Sequence, residues 1–313
     1  MAPTVFIDGE AGTTGLQIAD RLRDRSDLEL ISIAQEKRKD ASERARLINS
    51  ANVVILCLPD DAAIEAVSLV DNPDTVIIDA STAHRVADGW VYGFAEMAKD
   101  QREAIAKSKR ISNPGCYPTG FIGLVRPLVE AGIIPASHPI TVNAVSGYTG
   151  GGKGMISMFE DEASEHYTTE AFRAYALGQV HKHPPEMQVH AGLEYLPMFA
   201  PAVGRYAQGM LVELPLITRA LPNKPTRAAI QSVLEKSYIG EQFVEVKSLD
   251  DCDALGSVEP EALNGTNKME LFTFGSDEQV RLVARLDNLG KGASGAAVQN
   301  MNIALGFPEN SGL

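Results

Sequence analysis

Thr4-Val5-Phe6-Ile7-Asp8-Gly9-Glu10-Ala11-Gly12-Thr13-Thr14-Gly15 is the stretch that settles how the N-terminal half of this 313-residue chain is read. Residues 4–8 read as a strand, 9–15 as a turn, and the segment running to Arg25 as a helix. Gly9, Gly12 and Gly15 form G-x-x-G-x-x-G, a variant of the dinucleotide fingerprint, with a strand before it and a helix after it. Glycines let backbone approach a pyrophosphate, and a helix amino terminus supplies N–H donors and dipole charge. Three glycines in an ordinary tight turn are the competing reading, and the strand–helix setting favours the fingerprint. Gly9, Gly12, Thr13, Thr14 and Gly15 are the expected pyrophosphate contacts.

The alternation continues outward. Residues 28–33 read as a strand, 41–50 as a helix, 53–58 as a strand, 62–70 as a helix and 75–79 as a strand, which implies a parallel, doubly wound sheet. The second strand of such a sheet places the ribose selector at its carboxyl end, where an acid favours NAD and bases accommodate the extra phosphate of NADP. Ala34-Gln35-Glu36-Lys37-Arg38-Lys39 stands there, and its three consecutive cations outweigh Glu36. NADP is the expected cofactor, with Lys37 and Arg38 as contacts; a solvated surface cluster is the alternative. Ser81-Thr82-Ala83-His84-Arg85 follows another strand of this sheet, so Ser81 and Arg85 are candidate substrate contacts, Arg85 as an anion clamp.

Length and the 44% hydrophobic content allow a large core and about two domains. The formal charge of −13 argues against nucleic-acid or anionic-membrane partners, which need accumulated Lys and Arg, while small anions remain accessible through local donors. No apolar stretch approaches the roughly 20 residues of a membrane helix, and the start of the chain enters a strand pattern rather than a signal peptide. Three cysteines without framework spacing fit a reducing cytoplasm.

After residue 115 the pattern changes to longer strands, such as 140–145, 209–214 and 280–286, beside Gly- and Pro-rich connections. The expected class is α/β: a Rossmann-like doubly wound sheet plus an α+β catalytic and oligomerisation domain. The NADP-binding domain is expected over 1–115 and 290–313, with the small-residue helix 293–305 packing back on it. The catalytic domain is expected over 116–289. Its apolar strands suit pairing across subunits in a homodimer or homotetramer.

Asn113-Pro114-Gly115-Cys116-Tyr117-Pro118-Thr119 places a thiol at the mouth of a helix, with Pro118 suited to the first helical position and a stop at Gly132. Unpaired N–H groups and the helix dipole favour the nucleophilic thiolate there. Packing under a turn is the rival reading. Cys57 lies in a buried strand pattern and is expected to be inert, whereas Cys252 sits among Asp250, Asp251 and Asp253, which oppose a second negative charge. His181-Lys182-His183-Pro184-Pro185-Glu186 offers two imidazoles and a carboxylate for acid/base work; zinc ligation with His190, or a polar loop without chemistry, are the alternatives. Ser146-Gly147-Tyr148-Thr149-Gly150-Gly151-Gly152-Lys153 resembles a phosphate loop without completing the P-loop pattern; Ser146 and Lys153 are candidate substrate contacts, against a merely flexible loop.

Together the glycine fingerprint, the cysteine heptapeptide, the histidine segment and Lys291-Gly292-Ala293-Ser294-Gly295-Ala296-Ala297-Val298-Gln299-Asn300-Met301-Asn302 closely resemble the shorter class of the N-acetyl-γ-glutamyl-phosphate reductase family, in order and spacing along almost the whole chain. The resemblance implies an arginine-biosynthesis enzyme that reduces an acyl phosphate to N-acetylglutamate 5-semialdehyde with NADPH, releasing phosphate, on a fold shared with aspartate-semialdehyde dehydrogenases. It implies Cys116 as nucleophile, a thioester intermediate, and His181 and His183 with Glu186 as catalytic residues, His181 ranking first as proton donor. It further implies cofactor contacts over residues 288–296, namely Asn288, Lys291 and Gly292, with Asn113 at the substrate and no metal. Thr82-Ala83-His84-Arg85 stands where longer members show an Ala-Asp-Phe-Arg type sequence, and Gly150-Gly151-Gly152-Lys153 replaces Gly-Ala-Gly-Arg, a departure in both substrate loops. The remaining alternatives are an aspartate-semialdehyde dehydrogenase, a non-catalytic NADPH-sensing regulator and a zinc hydrolase.

Overall fold

Val5–Asp8 and Val53–Leu56 are buried along their whole length, as strands covered on both faces must be. In the computed structural model, which describes residues 2–313, the chain divides into two compact units, one running to Gly115 and resuming over Ala293–Leu313, the other Cys116–Gly292. The return falls at Ala293, beyond the expected residue 290, because the Gly292 N–H bonds the Asp287 carbonyl at 2.9 Å and ties residues 290–292 to the second unit.

The first unit contains β1 (Thr4–Asp8), α1 (Thr13–Leu22), β2 (Glu29–Ile31), α2 (Ala41–Ser50), β3 (Val53–Leu56), α3 (Asp60–Ser68), β4 (Val76–Asp79), β5 (Val91–Tyr92), α4 (Gln101–Lys107) and β6 (Arg110–Ser112). The six strands form a sheet in the order β2-β1-β3-β4-β6-β5 with every pairing parallel. The order reverses between β1 and β3, so the loops after those strands flank the crevice where doubly wound sheets take ligands. Apolar clusters fill both faces, one around Val5, Ile18, Ile55 and Ile78, the other around Phe6, Ile48, Val54 and Ile77.

The second unit runs α5 (Cys116–Glu130), β7 (Thr141–Gly147), α6 (Gly152–Glu160), β8 (Phe172–Ala174), α7 (Pro184–Ala191), β9 (Met198–Gly204), β10 (Met210–Leu216), α8 (Arg227–Tyr238), β11 (Val244–Val246), α9 (Leu249–Ala254), β12 (Met269–Gly275) and β13 (Val280–Leu286). Its mixed seven-stranded sheet has the order β11-β12-β13-β10-β7-β9-β8. α5 is apolar on nearly every side and lies against β10, β13, α7 and α8; Phe121, Ile122, Leu124 and Val125 are 0% exposed. Burying side chains of this size stabilises by about 1.5–3 kcal/mol each, so the helix that starts at Cys116 is rigidly seated. A π-helical turn, Gly290–Ser294, leads into α10 (Gly295–Leu305), which packs in the first unit on α1, α4 and β4.

Candidate active site

The turn after β1 is shaped by close approach. A Cβ on Gly9, which sits at φ +95°, would meet the Cys57 carbonyl oxygen at 2.3 Å, and one on Gly15 would meet the Gly9 oxygen at 2.4 Å. Only glycine fits, and the resulting concavity suits a diphosphate. Gly12 caps α1 without a side chain, and Thr13 and Thr14 open its first turn, so the donors and positive dipole end of the helix face the turn. The donor set fits the phosphates of a dinucleotide. Lys37 and Arg38 are exposed at a short 3₁₀ turn after β2. Beneath the turn, Asp8 accepts from Arg44 Nη2 at 2.9 Å and Nε at 3.1 Å, while Arg44 Nη1 reaches Glu65 at 3.1 Å. Burial pushes the Asp8 carboxyl above its ordinary range despite this guanidinium.

Ser81 and Arg85 lie at the carboxyl edge of β4. Ser81 donates to Asp79 at 2.7 Å, and Arg85 directs Nε and Nη2 to the carbonyls of Asn113 (3.0 Å) and Ala80 (3.2 Å). The Asn113 amide donates to the Ala293 carbonyl at 2.9 Å and accepts from Asn300 at 3.1 Å, and the residue is 1% exposed, so it braces the framework there.

In the second unit, Cys116, Ser146, Gly150, Met155, Tyr175, His181 and His183 line a cavity of about 260 Å³. α5 begins at Cys116 itself, so Pro118 is its third residue and the thiol belongs to the first turn. The imidazoles of His181 and His183 meet edge to face at 4.6 Å between centroids, within an aromatic surround of Tyr117, Tyr175 and Phe199. His181 Nδ1 accepts the backbone N–H of His183 at 3.1 Å, which leaves the ring proton of the neutral imidazole on Nε2. Burial, then the neighbouring Lys182 charge, holds the His181 pKa below its ordinary value. Tyr175 donates to the Tyr117 hydroxyl at 3.2 Å, and burial pushes the Tyr175 phenol up to about 12.

Other expected site residues are placed differently. Glu186 is 1% exposed in the first turn of α7, outside the cavity lining. Asn288 accepts from the Gly209 N–H at 2.7 Å and donates to Thr149 at 3.3 Å, bracing the glycine loop of the second unit. Lys291 is 1% exposed, with its ammonium 5.4 Å from the Phe243 ring centroid. Gly292 packs against Cys116, for a Cβ there would lie 2.7 Å from Cys116 Cβ. Lys153 is exposed on α6, outside the cavity lining. Burial and the Asp79 and Asp8 carboxylates push the Cys57 thiol up to about 12. The Cys252 thiol is also raised, chiefly by burial, with Asp253 and Asp251 as smaller contributors. Among the described residues no cluster of three or more His, Cys, Asp or Glu is arranged to hold a metal ion, and no helix is long and apolar enough to cross a membrane.

Sequence reading missed Tyr175 and Met155, which line the cavity, and Phe199, whose ring packs against Tyr117 and His181; they come from separate elements and carry no local signal. Tyr117 adjoins the thiol in sequence, and that adjacency was the one available hint.

A dinucleotide cradle in one unit and a thiol–imidazole cavity on a mixed sheet in the other define a semialdehyde dehydrogenase. The family models that match carry those descriptions: semialdehyde dehydrogenase, NAD binding domain, over residues 4–107, and semialdehyde dehydrogenase, dimerisation domain, over 116–288. The chain is 56% identical to N-acetyl-gamma-glutamyl-phosphate reductase 2 of Nostoc sp., with 99% of each chain covered. It is 54% identical to the N-acetyl-gamma-glutamyl-phosphate reductase of Brucella anthropi over 98% of this chain and 99% of the relative. Among solved structures, aspartate semialdehyde dehydrogenase II of Vibrio cholerae superposes with a TM-score of 0.72 at 14% identity, covering 97% of this chain and 98% of that one. An aspartate semialdehyde dehydrogenase of Candida albicans, determined with NADP, gives 0.63 at 13% identity over 97% and 98%. The chain belongs to the N-acetyl-γ-glutamyl-phosphate reductase family.

Proposed function

We propose that the chain reduces N-acetyl-γ-glutamyl phosphate to N-acetyl-L-glutamate 5-semialdehyde with release of phosphate, as a step of arginine biosynthesis, through a thioester on Cys116. The observation that carries this reading is the cavity, which brings a thiol in a helix first turn together with an imidazole of fixed tautomer. The helix dipole and first-turn N–H groups favour the Cys116 thiolate. The thiolate attacks the γ-carbonyl, the C–S bond forms, and phosphate leaves with the electron pair of the broken C–O bond and takes up a proton. NADPH, when bound, supplies the hydride that converts the thioester carbonyl to a tetrahedral oxyanion. His181, with its Nδ1 occupied by the His183 N–H, donates from Nε2–H to that oxygen. Collapse of the oxyanion breaks the C–S bond, releasing aldehyde and regenerating thiolate.

The cavity lining contains no Asp or Glu. A free α-ammonium group has no carboxylate partner there, and burying an unpaired charge is costly, so a neutral N-acyl group is the better occupant. This favours the N-acetylglutamyl substrate over an aspartyl one. The test compares phosphate-dependent NADP reduction with N-acetylglutamate 5-semialdehyde and with aspartate 4-semialdehyde. A preference of at least about 10²-fold in kcat/KM for the first is expected, and equal or reversed preference refutes the assignment.

NADP is the preferred cofactor on this reading, its 2′-phosphate met by the exposed Lys37–Lys39 run. Assembly is as a homodimer or homotetramer through the outer face of the mixed sheet, where Phe172 and Met198 are 62% and 57% exposed beside a cleft of about 560 Å³. The location is cytoplasmic.

A further inference from the structure

We propose that His84 is a positioning residue for this reaction, fixing the backbone that leads into the nucleophile; the inference rests on the reductase reading above. Asp79, at the carboxyl end of β4, is fully buried, and its carboxylate organises the loop that follows. Oδ1 accepts the Ser81 N–H at 2.9 Å, and Oδ2 accepts the Ser81 hydroxyl at 2.7 Å. His84 Nδ1 lies 2.6 Å from the same Oδ2, and facing a carboxylate that nitrogen carries the proton. The imidazole is pinned on its face by Trp90, with ring centroids 4.0 Å apart and planes 16° from parallel.

The consequence passes along the loop to Asn113. Arg85, next to His84, donates Nε to the Asn113 carbonyl at 3.0 Å, and Asp79 itself accepts the Asn113 N–H on its backbone carbonyl at 2.7 Å. The backbone at Asn113 is thus gripped on both sides by the loop that His84 closes. Pro114 and Gly115 follow, and the next residue is Cys116. His84 thus supplies both a stacking ring and a hydrogen bond to the loop. The two contributions are separable.

His84→Phe keeps a ring for Trp90 and removes the donor to Asp79; His84→Asn restores a donor near the Nδ1 position and removes the ring. The measurements are kcat and KM in the phosphate-dependent direction, NADPH binding, the rate of Cys116 alkylation by iodoacetamide, and emission from Trp90, the only tryptophan in the chain. His84→Phe is expected to lower kcat about tenfold with NADPH binding and KM within about twofold, to change the alkylation rate severalfold, and to alter Trp90 emission. His84→Asn is expected to recover most of kcat. The proposal is overturned if His84→Phe keeps the parental kcat and alkylation rate, if His84→Asn falls as far as His84→Phe, or if both variants lose NADPH binding in step with kcat. Alkylation does not depend on the substrate, so a parent without N-acetylglutamyl turnover refutes the reductase reading while the His84 comparison still gives its own answer.

Discussion

Replacing Gly292 by alanine tests whether the turn before α10 sets the position of the Cys116 thiol. The added Cβ would lie 2.7 Å from Cys116 Cβ and 3.1 Å from both Cys116 Cα and the Asp287 carbonyl oxygen. Carbon atoms in contact rest about 3.5–4.0 Å apart, so the shortfall is about 1 Å. α5 cannot slide to relieve it, because Phe121, Ile122, Leu124 and Val125 are fully buried behind the first turn. The displacement therefore falls on Cys116 or on the Gly290–Ser294 turn. A 1 Å misplacement of a reacting group costs on the order of 10²-fold in rate, and kcat is expected to fall by about that factor. Overpacking also costs about 1–3 kcal/mol of stability, so the assay pairs steady-state kcat with thermal melting and with iodoacetamide alkylation of Cys116. Gly256→Ala is the control, since a Cβ there meets nothing within 4 Å. A Gly292→Ala variant that melts earlier but keeps the parental kcat and alkylation rate per folded molecule would refute the positional argument.

Cys116→Ser should lower turnover by at least about 10³-fold while NADPH binding, followed by cofactor fluorescence, stays within about twofold; normal turnover ends the covalent mechanism. Replacing Lys37, Arg38 and Lys39 together by glutamine should raise the KM for NADPH about tenfold and leave that for NADH nearly unchanged, and equal losses would mark the cluster as non-selective. Arg44→Met strands the buried Asp8 carboxylate and should destabilise the first unit by about 3–5 kcal/mol at neutral pH. Burial raises the Asp8 pKa in the folded state, so the stability this group contributes is present below its unfolded value near 3.8 and is lost as pH rises through the folded value. Without Arg44 that folded value rises further, so urea titrations should show a deficit that grows from pH 4 to pH 7; a deficit independent of pH contradicts the account.

The parallel sheet and its cofactor cradle were legible because they depend on local rules. Apolar runs such as Val53–Leu56 read as buried strands whatever surrounds them, and glycine at 9, 12 and 15 is a backbone requirement written in one dimension. The boundaries shifted by one or two residues where pairing ended sooner than the apolar run, as at β3, which stops at Leu56 before Cys57. The thiol was legible for the same reason, since a helix amino terminus is announced by its own residues. Tertiary structure decided what the polar residues around it do. Asn113, Asn288 and Lys291 carry the residue types of a binding site, and each is held by partners such as Asn300, Gly209 and Phe243 that lie far along the chain or on another element. The tautomer of His181 follows from one backbone N–H two residues on, which spacing alone does not reveal. A sequence fixes which groups are present and where the backbone is free to bend. Which face of each group meets solvent is settled only when distant segments close around it, because hydrogen bonding and burial are properties of neighbours in space.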